Sequence, residues 1–350
     1  MQRGTRQGGF SLLELLVVMG IMLTLSAITI TFMNTSVKIS TMTNEMTEAQ
    51  QNLRTAQEFI SRDLLAAGDG MQDIKSPRLP KNFMTSYISK TTVVDAGNAT
   101  LGVMGIITSD DQVPAGVAVP LPTPAVNVKT GTDRITIMQM DPTFNNGATI
   151  ALVNGSVTAS GQTVTLPAGT TMTQFSVGDI YFFTSTKGSA FGCVTAVNAA
   201  ARILTFATTG DPYGINQPIA TGPIYSIMNG VTGTMMRMLI VHYFVDENGL
   251  LRKRVYGVSG GIGYNDMVVA EHVKDLQIRY ILSSSSSNGN VTQPTKTLST
   301  ETLQGSVRQA EVTVVTETLH NVAGGQKQSI SMTTGTSIRN MQFNKSLRPD

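Results

Sequence analysis

Residues 10–32 read FSLLELLVVMGIMLTLSAITITF, 23 positions in which Glu14 is the only charge. As a helix this run is about 34 Å long at 1.5 Å per residue, enough to cross a hydrocarbon core of about 30 Å. The nine residues before it, MQRGTRQGG, carry Arg3 and Arg6 and no acid. Positive charge on that side holds the leader in the cytoplasm and sends the remainder outward. A secretory signal would place a small-residue cleavage site after its apolar region, and residues 28–35 offer no convincing one. Gly8 and Gly9 lie in front of the run instead. A carboxylate inside such a helix is costly unless it has a partner or reaches the membrane edge, so Glu14 is either a snorkelling residue or half of a charge pair.

Polarity changes after Phe32, but a helical period persists through Val37, Met42, Met46, Ala49, Leu53, Ala56, Ile60 and Leu64. This stripe predicts a face that docks on the rest of the protein. Neither Pro nor Gly interrupts residues 21–67, and Ala66-Ala67-Gly68-Asp69-Gly70 supplies a stop through a left-handed glycine. The predicted helix therefore spans residues 10–67, with its membrane segment at 10–32.

Residues 68–350 are expected to form a β-rich globular domain. With 46 Thr and 33 Gly in 350 residues, and only 14% charged, the composition favours strands over a helical enzyme. Six prolines break up residues 70–132, where short strands are expected near Thr92 and Ile106. Beyond them, strand signals appear at 134–140, 157–166 with a turn at Ser160-Gly161, 180–184, 193–197, 203–208, 224–228, 236–245, 250–256, 268–282, 307–319 and 328–334. Asn248-Gly249 predicts a type I′ hairpin. The serine run 283–287 reads as a surface loop. The fold class is thus α+β, a long N-terminal helix with a transmembrane first half packed on a β-rich domain.

The 25 Lys+Arg against 23 Asp+Glu leave no basic excess, so no nucleic-acid partner is expected; Arg252, Lys253 and Arg254 make one small basic cluster. Cys193 is the single cysteine, which excludes an internal disulfide and every multi-thiolate metal site, and it reads as a buried thiol. His242, His272 and His320 lie far apart. Asp69, Asp73, Asp110 and Asp111 lack the spacing of a calcium loop and read as solvated turn carboxylates. The glycine-rich stretch 257–263 has neither the Lys-Ser/Thr nor the helix of a phosphate loop. No cofactor, metal or catalytic set is expected, and the chain reads as non-enzymatic.

Gly9, Phe10, Ser11, Leu12, Leu13 and Glu14, followed by the apolar run, resemble the signature of the type IV pilin superfamily. The resemblance implies cleavage between Gly9 and Phe10 by a prepilin peptidase, and N-methylation of Phe10. It also implies a charge pair between Glu14 of one subunit and the new amine at Phe10 of its neighbour. Loss of the leader removes Arg3 and Arg6, leaving 23 basic and 23 acidic side chains. A narrower resemblance to minor pilins of the PilW kind rests on four segments. They are the helix close at 60–68, the segments 175–180 and 193–197 of a small barrel-like insertion around 133–230, the late segment 268–280, and Ser337-Ile338-Arg339-Asn340 near the end. What this implies is a structural minor pilin of a type IV pilus, acting in assembly near the tip. It would sit in the inner membrane and then at the cell surface, with other major and minor pilins and the pilus assembly platform as partners. Two alternatives share these features: a J-type minor pseudopilin of a type II secretion system, and a DNA-uptake or adhesin minor pilin.

Overall fold

The computed structural model describes residues 11–71, 77–95, 100–119, 125–158, 162–217, 223–258, 264–283, 295–321 and 326–341. Helix α1 (Leu12–Ala66) runs for 55 residues, about 82 Å at 1.5 Å per residue. It ends where Gly68 adopts φ +75°, a conformation open to glycine but strained for other residues. The Gly68 N–H donates to the Met138 carbonyl at 2.9 Å. A Cβ at Gly68 would meet Ile106 at 3.1 Å, so the helix stop also seats the helix end on the domain. Of the predicted stripe, Ala49, Leu53, Ala56, Ile60 and Leu64 are buried and Met42 and Met46 half-buried. Val37 is 61% exposed, because the domain begins more than a turn later.

The proline-rich stretch has strands close to the two expected near Thr92 and Ile106, and more elements besides. It holds β1 (Arg78–Pro80), α2 (Lys81–Ser86), β2 (Val94–Asp95), β3 (Leu101–Val103), β4 (Ile107–Asp110), β5 (Ala118–Val119) and β6 (Val126–Asn127). Next come β7 (Arg134–Met140), β8 (Ile150–Leu152), β9 (Val157–Thr158), β10 (Thr163–Thr165), β11 (Ile180–Ser185), β12 (Gly188–Cys193), β13 (Ala196–Asn198) and β14 (Ile203–Thr205). The last part holds α3 (Pro223–Met228), β15 (Gly233–Val245), β16 (Leu251–Tyr256), β17 (Tyr264–Ala270), β18 (Val273–Leu282), α4 (Glu301–Gly305), β19 (Val307–Glu317) and β20 (Ser329–Ser337).

Four expectations change. Residues 224–228 are helical, not a strand: Pro223 sits at the first helical position, where its missing N–H costs nothing, and Ile224, Ile227 and Met228 bury one face. The strand predicted at 193–197 breaks after Cys193. The strand predicted at 268–282 is two, separated at His272, whose φ is +56°. The hairpin at Asn248-Gly249 exists, but only Gly249 has positive φ, whereas a type I′ turn needs two such residues. Gly249 N–H donates to Asp246 O, and the Asp246 carboxylate accepts from the N–H groups of Asn248 and Leu250, which fixes the turn. The turn expected at Ser160-Gly161 and most of the serine run lie outside the described residues.

Strand β15 organises the domain. Its first half, from Gly233, pairs with β11 on one edge and β8 on the other; its second half, to Val245, pairs with β16 and β7. One core gathers the α1 stripe with Ile135, Ile137, Val241, Leu251, Leu276 and Val312. A second gathers Phe144, Leu152, Val164, Phe183, Phe206 and Met235, where the sheet β13-β14-β10-β9 packs on β11 and β12. Arg237, on β15 between them, pairs with Asp141 at 2.6 Å and lies over the Phe144 ring.

The sheet β18-β19-β20 is separate, and α1 lies between it and strands β7 and β17. Asp133 joins the two sheets. Its carboxylate accepts the N–H groups of Ile278 (2.7 Å) and Gln112 (2.8 Å), and its own N–H donates to Leu276 O. Burial, aided by the nearby Asp111 and opposed by the two N–H donors, pushes its pKa up to about 6. An acid raised in the folded state contributes stability that is present below its unfolded pKa of about 3.9 and lost as pH rises through about 6. The Asp133 carboxyl should therefore titrate near pH 6 by ¹³C NMR. Denaturation of Asp133→Asn should lack that part of the stability loss between pH 4 and 6.

Candidate functional site

The membrane half of α1 packs against no other element among the described residues. Every residue from Ser11 to Thr41 is exposed, and 17 of the 23 large exposed hydrophobic side chains among the described residues lie between Leu12 and Ile39. Moving 17 such side chains out of water is worth on the order of 25–50 kcal/mol at about 1.5–3 kcal/mol each. That free energy dictates that this segment does not remain in water. Its threonines suit an apolar solvent, since Thr24, Thr29, Thr31, Thr35 and Thr41 each donate a hydroxyl hydrogen to a carbonyl three or four residues back. Hydroxyls satisfied within the helix leave no donor stranded in lipid. Glu14 stands in the first turn, exposed like its neighbours, and is the only charge there. Gly9 and Phe10 lie outside the described residues.

The other half of α1 is fastened along its length. At its lower end, Glu45 Oε1 lies 2.6 Å from His320 Nδ1, and Glu45 Oε2 accepts the His320 N–H. These hydrogen bonds hold the Glu45 carboxyl below the usual carboxylate range. Above them, Thr316 donates to Ala49 O, and the Gln57 amide donates to the carbonyls of Val312 and Met332. Higher still, Asp63 Oδ2 accepts the Tyr243 hydroxyl at 2.6 Å and pairs with Lys253. Asn340 then reaches Ala67 O. Asp63 and Tyr243 are buried, and burial together with the Asp63 charge pushes the Tyr243 hydroxyl up. Lys253 also lies 5.8 Å from the Phe59 ring centre.

Sequence reasoning missed these docking residues. Asp63 sits within the helix close at 60–68, and His320 stands apart from the other histidines with no local pattern to mark it. A carboxylate at the end of an apolar stripe, beside Ile60 and Leu64, was the available signal.

The basic cluster dissolves on folding. Arg252 and Arg254 face away from α1, where Arg252 pairs with Asp246 and Arg254 with Asp266, while Lys253 faces α1. Their side-chain exposures are 23%, 9% and 0%, in order, so the three share no exposed basic patch. Asp110 is not a solvated turn residue either. It is buried between Lys90 and Arg134, whose charges outweigh burial and hold its carboxyl below the usual range. His242 is fully buried against Thr136, and burial with the neighbouring Arg134 pushes its pKa down. Cys193 is buried, and burial pushes its thiol pKa up, away from the reactive thiolate. Residues 257–261, Gly-Val-Ser-Gly-Gly, have the spacing of a hydrolase nucleophile elbow. The next element among the described residues is strand β17, whereas an elbow requires a strand followed by a helix. Asp73 and residues 259–263 lie outside the described residues.

A family model, the prokaryotic N-terminal methylation motif, matches residues 4–30. This match supports a type IV pilin-like prepilin. With the exposed apolar helix, it is consistent with a membrane-anchored pilin or pseudopilin. No curated protein matches the chain.

The docking ladder makes a graded prediction. Asp63→Ala strands Lys253 and the Tyr243 hydroxyl, and should destabilise the detergent-solubilised chain by about 3–5 kcal/mol in denaturant titration. Tyr243→Phe removes one hydrogen bond to a charged group and should cost about 1.5–3 kcal/mol.

Proposed function

We propose that this chain is a non-enzymatic minor pilin of a type IV pilus, of the PilW kind, acting in assembly near the filament tip. A prepilin peptidase cuts between Gly9 and Phe10 at the cytoplasmic side of the inner membrane, and Phe10 is then methylated. The subunit waits in that membrane and passes, through the assembly platform and alongside other major and minor pilins, into the filament at the cell surface. The observation that carries this reading is the bare apolar helix with its one carboxylate, rigidly continuous with a docked domain and overlain by the methylation motif.

Glu14 supplies register. Within a bundle of apolar helices, sliding changes little, because one aliphatic side chain replaces another. A carboxylate in low dielectric distinguishes one axial position, where it meets the α-amine of a neighbouring Phe10, since two charges desolvated together cost far less than either alone. A subunit with no neighbour above it has no use for that carboxylate, so the presence of Glu14 favours a position below the last subunit.

Intact-mass and N-terminal analysis of membranes and sheared filaments, for wild type and Glu14→Ala, tests this. The mature chain should begin at methylated Phe10 in both. Incorporation of Glu14→Ala into filaments should fall at least about tenfold, equivalent to about 1.4 kcal/mol. An unprocessed Met1 terminus with no filament association would overturn the reading.

A further inference from the structure

Long edge strands invite pairing, and proteins close them with bulges, charges, short lengths or covering segments. Three of the four long edges among the described residues are closed in this way. On β12, Asn216 accepts the Cys193 N–H and donates to the Cys193 carbonyl, occupying the edge as a strand would. β17 is bulged opposite Leu251-Arg252 and turns Asp266 inward against Arg254. β18 has two register shifts, and Asp133 and Thr295 take up Leu276, Ile278 and Tyr280.

Among the described residues, β20 shows none of these devices from Ser329 to Gly335. It pairs with β19 through nine unbroken positions and contains no charge and no proline. The bonds Thr318 N–H to Gln328 O and Ile338 N–H to Arg308 O fix the alternation, so the even residues of β20 face β19. The N–H and C=O groups of Ser331, Thr333 and Gly335 therefore point outward, and all three residues are exposed. They meet no backbone partner among the described residues.

We propose that the outward edge of β20 at Ser331, Thr333 and Gly335 receives an extended strand from a different protein. A second copy of this chain does not fit. Because Ala49 bonds at Thr316, Gln57 at Met332 and Ala67 at Asn340, α1 runs in the same direction as β20 and lies on the face of its sheet. Antiparallel self-pairing uses a two-fold axis normal to that sheet, which would point the two bare helices in opposite directions and prevent both from sharing one membrane. Parallel self-pairing about an axis along the strand sets each outward residue opposite itself, whereas parallel ladders bond residue i to neighbours on either side of its opposite. The incoming strand would lie over small hydroxyl-bearing positions on its outer face. On its inner face its apolar side chains would extend the layer begun by half-buried Ile330 and Met332. The proposal rests on membrane anchoring of the helix, not on incorporation into a filament.

The test places a photo-crosslinking residue at Ser331 of the full chain in native membranes. The expected result is one adduct with a different polypeptide, lost in Thr333→Pro, which deletes an outward N–H and spares the β19 ladder, and in Ser331→Lys with the crosslinker moved to Gly335. Hydrogen exchange at Ser331, Thr333 and Gly335 should slow at least about tenfold in the membrane assembly relative to the detergent-separated chain. An adduct of twice the subunit mass would overturn the proposal, as would an adduct that survives both variants, or equal exchange in the two states.

Discussion

The contact between Asp63, Tyr243 and Lys253 is the point on which the architecture turns. Asp63 is the only acidic residue that α1 buries, and both of its partners come from the central sheet, one from β15 and one from β16. Apolar packing alone would let the helix slide or rotate over Leu53, Ile60 and Leu64 at modest cost. A buried carboxylate tolerates neither, because displacement by one residue leaves its charge without compensation. The same logic would act twice along one helix in the proposed assembly: Asp63 fixes the domain to the rod, and Glu14 would set one rod against another.

β15 gives that fixed point its reach. One strand belongs to both cores, so the position of α1 on its second half is transmitted through continuous backbone pairing to the segment packed on its first half. Arg237, midway along, ties the two regions electrostatically through Asp141. The domain therefore presents its surfaces in a defined relation to the membrane helix.

Much of this was legible in the sequence, for physical reasons that differ by element. The helix shows because apolar residues recur at steps of three and four with no Pro or Gly to interrupt them. β7 shows because 134–140 is a compact β-branched run bounded by turn residues. The helix α3 was misread because Ile224-Tyr225-Ser226-Ile227-Met228 alternates poorly and is short enough to suit either period; Pro223 was the deciding residue. The division between β17 and β18 was hidden because Glu271 and His272 carry no glycine or proline, although the chain turns there with positive φ. Glu14 stands out in the sequence as the one charge against an apolar background, and its pairing belongs to the proposal. The ladder from Glu45 to Asn340 was not legible, because its partners lie about 180 to 275 residues apart along the chain. The apparent basic cluster shows the converse error, since consecutive residues of a strand face opposite sides and share no surface.

An unbroken helix fastened at several heights acts mechanically as a lever. Its ties begin at Glu45 and end at Ala67, so the free arm below them cannot flex independently of the domain without bending helical backbone. Transmembrane helices commonly tilt by about 20°. Over a rod of about 82 Å, a change of only about 10° in that tilt would carry the far end sideways by on the order of 14 Å. The lipid around the anchor, by setting its angle, thus determines where the outer surface of the domain is held and which neighbours it meets.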